Sequence, residues 1–155
     1  MSRPEPPLVA ASAAVLALLV ATPGISAAQG RDDAESSLRV EVSGIRNARG
    51  TLDCGLFTDA ANFPDGAGAR AVRAVIEGAR AVCVFDRVPP GTYAVAVLHD
   101  ENGNGRLDRN FLGIPTEGYG VSNNRTYAMS SPRWDESRFT IAVRERAVLR
   151  VSLRY

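Results

Sequence analysis

From Leu38 onward, apolar and polar residues alternate with a period of two. Leu38, Val40 and Val42 alternate with Arg39, Glu41 and Ser43, the pattern of a half-buried strand. Residues 51–58 repeat it, with Leu52, Cys54 and Leu56 on one face. Residues 71–76 and 81–85 predict two more short strands, divided by the turn pair Glu77-Gly78. Residues 92–99 are apolar on both faces, with Tyr93, Val95 and Val97 on one and Ala94, Ala96 and Leu98 on the other. Such a strand belongs in the middle of a sheet. Residues 138–144 place Phe139, Ile141 and Val143 on one side, and residues 147–155 place Leu149, Val151, Leu153 and Tyr155 on one side. Turn chemistry fills the gaps: Asn47 to Gly50, the Asn, Pro, Asp and Gly of residues 59–68, and Val88-Pro89-Pro90-Gly91, where proline fixes φ and glycine supplies a positive one. No amphipathic helix stands out. The pattern predicts an all-β fold, an antiparallel β-sandwich of about seven strands.

One stretch breaks the period. Residues 100–137 predict a single long loop, and a loop of that length inside a compact domain is usually functional or disordered. Phe111, Ile114, Tyr119, Tyr127 and Trp134 make it too apolar for a solvated tail.

The N-terminus follows a different logic. Arg3 precedes the apolar run Leu8 to Ala21, interrupted only by Ser12; Pro23-Gly24 ends it, and Ser26 and Ala28 fit the −3 and −1 positions of a cleavage site. This is the layout of a secretory signal peptide, and the run is too short for a transmembrane span. The expected organisation is a signal peptide at 1–28, a flexible lead-in at 29–37 and one domain at 38–155, periplasmic or secreted, with no membrane span after cleavage. Composition adds an exclusion. The formal net charge is +1 from 18 basic and 17 acidic residues, without the basic surplus of a nucleic-acid binder. Every basic residue is arginine, and the arginines are scattered.

Export changes the reading of Cys54 and Cys83. In an oxidising compartment a lone pair of cysteines is expected to form a disulfide. The competing readings, a metal pair or a reactive thiol, lack CxxC spacing or an adjacent histidine. The cysteines fall on the second and fourth predicted strands, so the bridge would be cross-strand or cross-sheet.

Candidate chemistry concentrates in Asp100-Glu101-Asn102-Gly103-Asn104-Gly105-Arg106-Leu107-Asp108. Oxygen side chains at relative positions 1, 3, 5 and 9, with glycine at 6, match the first part of an EF-hand calcium loop. Position 12 is Phe111 where a bidentate Glu is expected, and Glu117 is the nearest substitute. The expected Ca2+ ligands are therefore Asp100, Asn102, Asn104, Asp108 and Glu117. The competing reading is an Asx-rich turn that bonds its own backbone without metal. His99, the sole histidine, shares parity with Tyr93, Val95 and Val97. That parity favours a buried, hydrogen-bonded residue pinning the loop over a catalytic base.

Pro90-Gly91-Thr92-Tyr93-Ala94-Val95, His99-Asp100-Glu101-Asn102-Gly103-Asn104-Gly105, Asp108, Gly113-Ile114-Pro115-Thr116-Glu117-Gly118-Tyr119-Gly120 and Ser122-Asn123 together closely resemble the signature block of the DUF2141 family, bacterial exported proteins of unknown function. The resemblance runs from about Val40 to Leu153; Val121 stands where the family often has Phe. More distantly the chain resembles prealbumin-like and carboxypeptidase-regulatory-like β-sandwiches. The resemblance implies that residues 99–123 act as one unit; from the residues themselves, His99, Glu101, Tyr119 and Asn123 are expected to organise the loop or line its surface. It implies no activity. The expected function is a non-enzymatic binding module that meets a protein or saccharide of the cell envelope. The alternatives are a hydrolase using His99 with Asp100, Glu101 or Glu117, and a structural or carbohydrate-binding module using Tyr119, Tyr127 and Trp134.

Overall fold

The computed structural model describes residues 35–68, 70–125 and 130–155. The expected signal peptide, most of the expected lead-in, and Tyr127 lie outside the described residues. Eight strands are described: β1 (Ser36–Ser43), β2 (Thr51–Phe57), β3 (Arg70–Ala74), β4 (Arg80–Val88), β5 (Gly91–Asp100), β6 (Gly118–Val121), β7 (Phe139–Ile141) and β8 (Arg146–Ser152). A one-turn helix, α1 (Trp134–Ser137), precedes β7. The strands form two sheets, β4-β1-β8 and β3-β2-β5-β6, with β7 paired to one end of β5. This is the expected all-β sandwich. One pairing departs from the antiparallel rule: β8 lies parallel to β1, with Leu38 beside Ala147 and Val42 beside Val151.

The period-two pattern places the core. Leu38, Val40 and Val42 of β1 and Ala81, Cys83 and Phe85 of β4 face Leu52, Cys54 and Leu56 of β2 and Tyr93, Val95 and Val97 of β5, all buried between the sheets. The alternation fixes register, because a one-residue slip would turn every one of these side chains to the other face. Cys54 and Cys83 form a disulfide. It joins β2 of one sheet to β4 of the other, so the bridge is cross-sheet. Beyond β8 the chain crosses to the second sheet, where Tyr119 and Arg154 exchange backbone hydrogen bonds of 2.9 Å. Tyr155 then folds over Gly118, where a Cβ would meet its ring at 2.5 Å.

Three sequence expectations need correction. Strand β1 begins at Ser36, inside the expected lead-in, and Ser36 is buried. The predicted strand at 138–144 shortens to Phe139–Ile141. Arg144 adopts a φ of 59°, and Glu145 N–H donates to Ala142 O at 3.4 Å. That turn swings Val143 out to 70% exposure. The region read as one loop also contains β6, a 3-10 turn at Ser122–Asn124 and α1. Strand β6 escaped notice because only four residues pair, two of them glycine.

Candidate functional site: a cleft on the outer face of the second sheet

Strand β5 is apolar on both sides, and only one side faces the other sheet. The outer side of β5 carries Ala94, Ala96 and Leu98. Near Ala94 it is covered by Phe57, Phe63 and Val121, with Trp134 packed against them; Phe63 lies edge-on to Phe57 and to Trp134, with ring centroids 5.5 and 6.0 Å apart. Further along, among the described residues, Ala96 and Leu98 stay half-buried. Register places Ala71 beside Gly55, Gly55 beside Ala96 and Ala96 beside Val121. A row of small residues, Ala71, Gly55 and Ala96, thus crosses three strands and ends against Val121, and the next row holds Asp53, Leu98 and Tyr119. The result is a cleft of about 680 Å³, within the size range of small-molecule sites. Its walls are Leu107, Leu112, Ile114 and Pro115 from the loop after β5, Pro64 from the β2–β3 connection, and residues 130–132.

The loop after β5 is built from the residues that carried the calcium expectation. Asp100 is buried, and its Oδ1 accepts hydrogen bonds from Gly103 N (2.7 Å) and Asn104 N (3.1 Å), while Oδ2 accepts from Gly105 N (2.7 Å). Glu117, also buried, accepts from Glu101 N (2.8 Å) through Oε1 and from Asp108 N (3.1 Å) through Oε2. Asn102 and Asn104 each accept from the backbone two residues on, the Asx turn. Their amide nitrogens donate to the Asp108 carboxylate, at 2.5 Å from Asn102 and 3.0 Å from Asn104. The five residues do gather, and Glu117 does fold back onto the loop. Every carboxylate oxygen of Asp100 and Glu117 is occupied by backbone N–H. The geometry is that of a self-bonded turn.

His99 is fully buried on the core side of β5. Its Nε2 lies 2.8 Å from the Arg49 carbonyl and its Nδ1 2.6 Å from the Tyr155 hydroxyl. A carbonyl only accepts, so Nε2 carries the proton and Nδ1 accepts from Tyr155. The hydroxyl in turn accepts from Arg46 N at 3.1 Å. The Arg46 guanidinium lies 4.3 Å above the Tyr155 ring, donates to Thr116 O and meets Glu101 Oε1 at 2.5 Å. Burial opposes the charge on Glu101, but the hydrogen bond from Asn47, the bond from Arg46 and the charge of Arg46 outweigh it and hold its carboxyl below the usual carboxylate range. Burial pushes the Tyr155 hydroxyl up. Gly50, with φ of 68°, lets the β1–β2 turn press against this network: a Cβ there would run into the Asp100 carbonyl.

The expected surface residues separate. Tyr119 lines the cleft. Asn123, in the left-handed region at φ 65°, instead donates to Glu136 O (3.0 Å) and Arg138 O (3.2 Å), tying the 3-10 turn to α1. Trp134 packs on Phe63 and is not among the residues lining the cleft; Tyr127, the third aromatic of the expected saccharide surface, lies outside the described residues. The cleft residues Gly55, Ala71, Ala96, Leu98, Leu112 and Ile114 were missed by sequence reasoning. The available signal was β5, whose second apolar face required a cover.

Residues 40–148 match a family model described as "Uncharacterized protein conserved in bacteria (DUF2141)". No curated protein and no solved structure matches the chain.

Proposed function

This chain belongs to the DUF2141 family, and from that membership and the geometry of the site we propose that it is a non-enzymatic binding module whose ligand sits in the outer-face cleft. The observation that carries the reading is the half-covered outer side of β5: an apolar face with about 680 Å³ of open space over it, walled by a loop held rigid from within. Burying such a face on a ligand is favourable at about 25 cal/mol per Å² of apolar surface. The Asp100–Glu117 loop acts as scaffold. Its carboxylates cap amides, and their work is to hold Leu107, Leu112, Ile114 and Pro115 over the trough. The catalytic alternative has less support, because His99 has both ring nitrogens engaged and no exposed surface. The module works outside the cytoplasm, periplasmic or secreted; the inter-sheet disulfide supports that compartment.

Titration of the purified protein with a neutral naphthylamine dye tests the reading. The dye is expected to brighten on binding, and Leu98→Trp, which fills the trough from the floor, is expected to abolish the signal without lowering the melting temperature. No dye binding, or binding indifferent to Leu98→Trp, would remove the cleft as the site.

A further inference from the structure

We propose that the cleft takes a free long-chain carboxylate, an amphiphile of the fatty-acid class, with its hydrocarbon chain along the trough and its carboxylate at Arg106 and Arg109. The inference rests on the reading of the cleft as a binding surface and names the ligand of that site. Three features specify the class.

The first is shape. The row Ala71, Gly55 and Ala96 runs across three strands and ends against the buried Val121, and three strands at their usual spacing give it a length of about 10 Å. Leu98 and Tyr119 form a second row of the floor. The Phe57 ring lies over Gly55, so closely that a Cβ there would meet it at 2.8 Å, and narrows the first row. A floor narrowed in this way suits a single hydrocarbon chain.

The second is charge. Asp53 on the floor is neutralised by Arg73, whose Nε and Nη2 donate to it at 2.7 and 3.3 Å. On the loop wall Arg106 is exposed, and its guanidinium has no hydrogen-bond or ion-pair partner among the described residues. Arg109, in the lining of the same cleft, spends one nitrogen on Gly113 O at 3.2 Å and keeps the rest. The opposing charge in the lining is Asp65, which comes from the β2–β3 connection and not from the arginine wall. Two guanidiniums at the edge of an apolar trough match one carboxylate on an apolar chain, because the guanidinium fork fits carboxylate geometry.

The third is the lip. Phe111, Leu112 and Ile114 are 95%, 64% and 45% exposed. The turn holding them is not slack: Asn110 Oδ1 accepts from Leu112 N at 2.9 Å and Ile114 N at 3.0 Å. A rigid turn keeps apolar surface in water beside an apolar trough, as expected where a hydrocarbon ligand enters.

The test is competition against the bound naphthylamine dye by palmitate, hexadecanol and hexadecyltrimethylammonium, which share a chain and differ in charge. Palmitate is expected to displace the dye at roughly tenfold lower concentration than either, the scale of one charge-assisted contact. The double variant Arg106→Glu/Arg109→Glu, both at exposed positions, is expected to lose that margin while still binding the dye. Equal displacement by all three chains, or a palmitate preference that survives the double variant, overturns the proposal and leaves the binding-module reading standing. Capture of the protein by phosphatidylglycerol vesicles that free palmitate fails to reverse overturns it in favour of a membrane surface. Failure of the dye to bind at all, read before any competitor is added, overturns both readings.

Discussion

The two faces of β5 both carry apolar side chains, larger on the inner face, and end in different states. On the inner face Tyr93, Val95 and Val97 meet the other sheet and are buried, and a disulfide crosses the same layer. On the outer face Ala94 is sealed under Phe57 and Phe63, while Ala96 and Leu98 remain half-exposed at the floor of a cleft. Interiors are close-packed, so a face that stops short of that density has surface left over for something else. The difference teaches where stability and recognition separate: in this sandwich the division runs through a single strand.

The comparison breaks first if the inner layer does not dominate stability. Replacing both Cys54 and Cys83 by Ser reopens a loop spanning 29 positions, and urea unfolding is expected to show a loss of about 3 to 4 kcal/mol, with dye binding unchanged below the unfolding midpoint. The next test acts on neighbouring residues. Val97→Ala on the inner face is expected to cost about 2 kcal/mol, the value of the methyl groups removed from a filled core. Leu98→Ala removes more hydrocarbon yet is expected to cost less than about 1 kcal/mol, because its site is already open. Equal urea midpoints for the two variants would dissolve the distinction between the faces.

Much of the inner face was legible in the sequence. Leu38, Val40, Val42 and their partners alternate strictly, and alternation requires only the pleat. The outer cleft was not legible, because it depends on register. Gly55, Ala71 and Ala96 are unremarkable in sequence and form a trough only when three strands place them side by side. The Asp100–Asp108 segment was visible as an oxygen-rich loop, but spacing alone does not say whether those oxygens turn toward a cation or toward their own backbone. His99 was placed correctly by parity. Its partners, Tyr155 and the Arg49 carbonyl, lie far off in sequence and had no local signal.

The loop wall supplies a smaller test of the same division. In Asp100→Asn one oxygen still accepts from Gly103 and Asn104, but an amide N–H₂ now faces the Gly105 N–H that Oδ2 receives at 2.7 Å. Donor against donor is expected to cost about 1 to 2 kcal/mol. If the carboxylate serves as scaffold, the cost is the same in calcium and in chelator, and calcium leaves the melting temperature of the parent protein unchanged. A calcium-dependent rise in melting temperature, lost in Asp100→Asn, would move this loop from scaffold to ion site, since a ligand that binds only the folded state must stabilise it.

The smallest effect concerns Glu101, which stands where the loop meets the core. Burial opposes its charge, while Asn47 and Arg46 favour it strongly enough to hold the folded-state carboxyl below its ordinary value of 4.5. A carboxyl so depressed contributes stability above the unfolded value and loses it as pH falls through the folded one. At neutral pH Glu101→Gln is therefore expected to unfold at a slightly lower urea concentration than the parent. The gap should begin to close below 4.5 and vanish in stronger acid, where both chains are neutral at this position. Because Arg46 also covers Tyr155 and donates to the Thr116 carbonyl, the same titration reports on the hinge between the buried histidine network and the loop wall. If dye affinity stays constant while the stability gap closes, the ion pair serves the core alone. If affinity falls with it, the charge on Glu101 helps to shape the cleft.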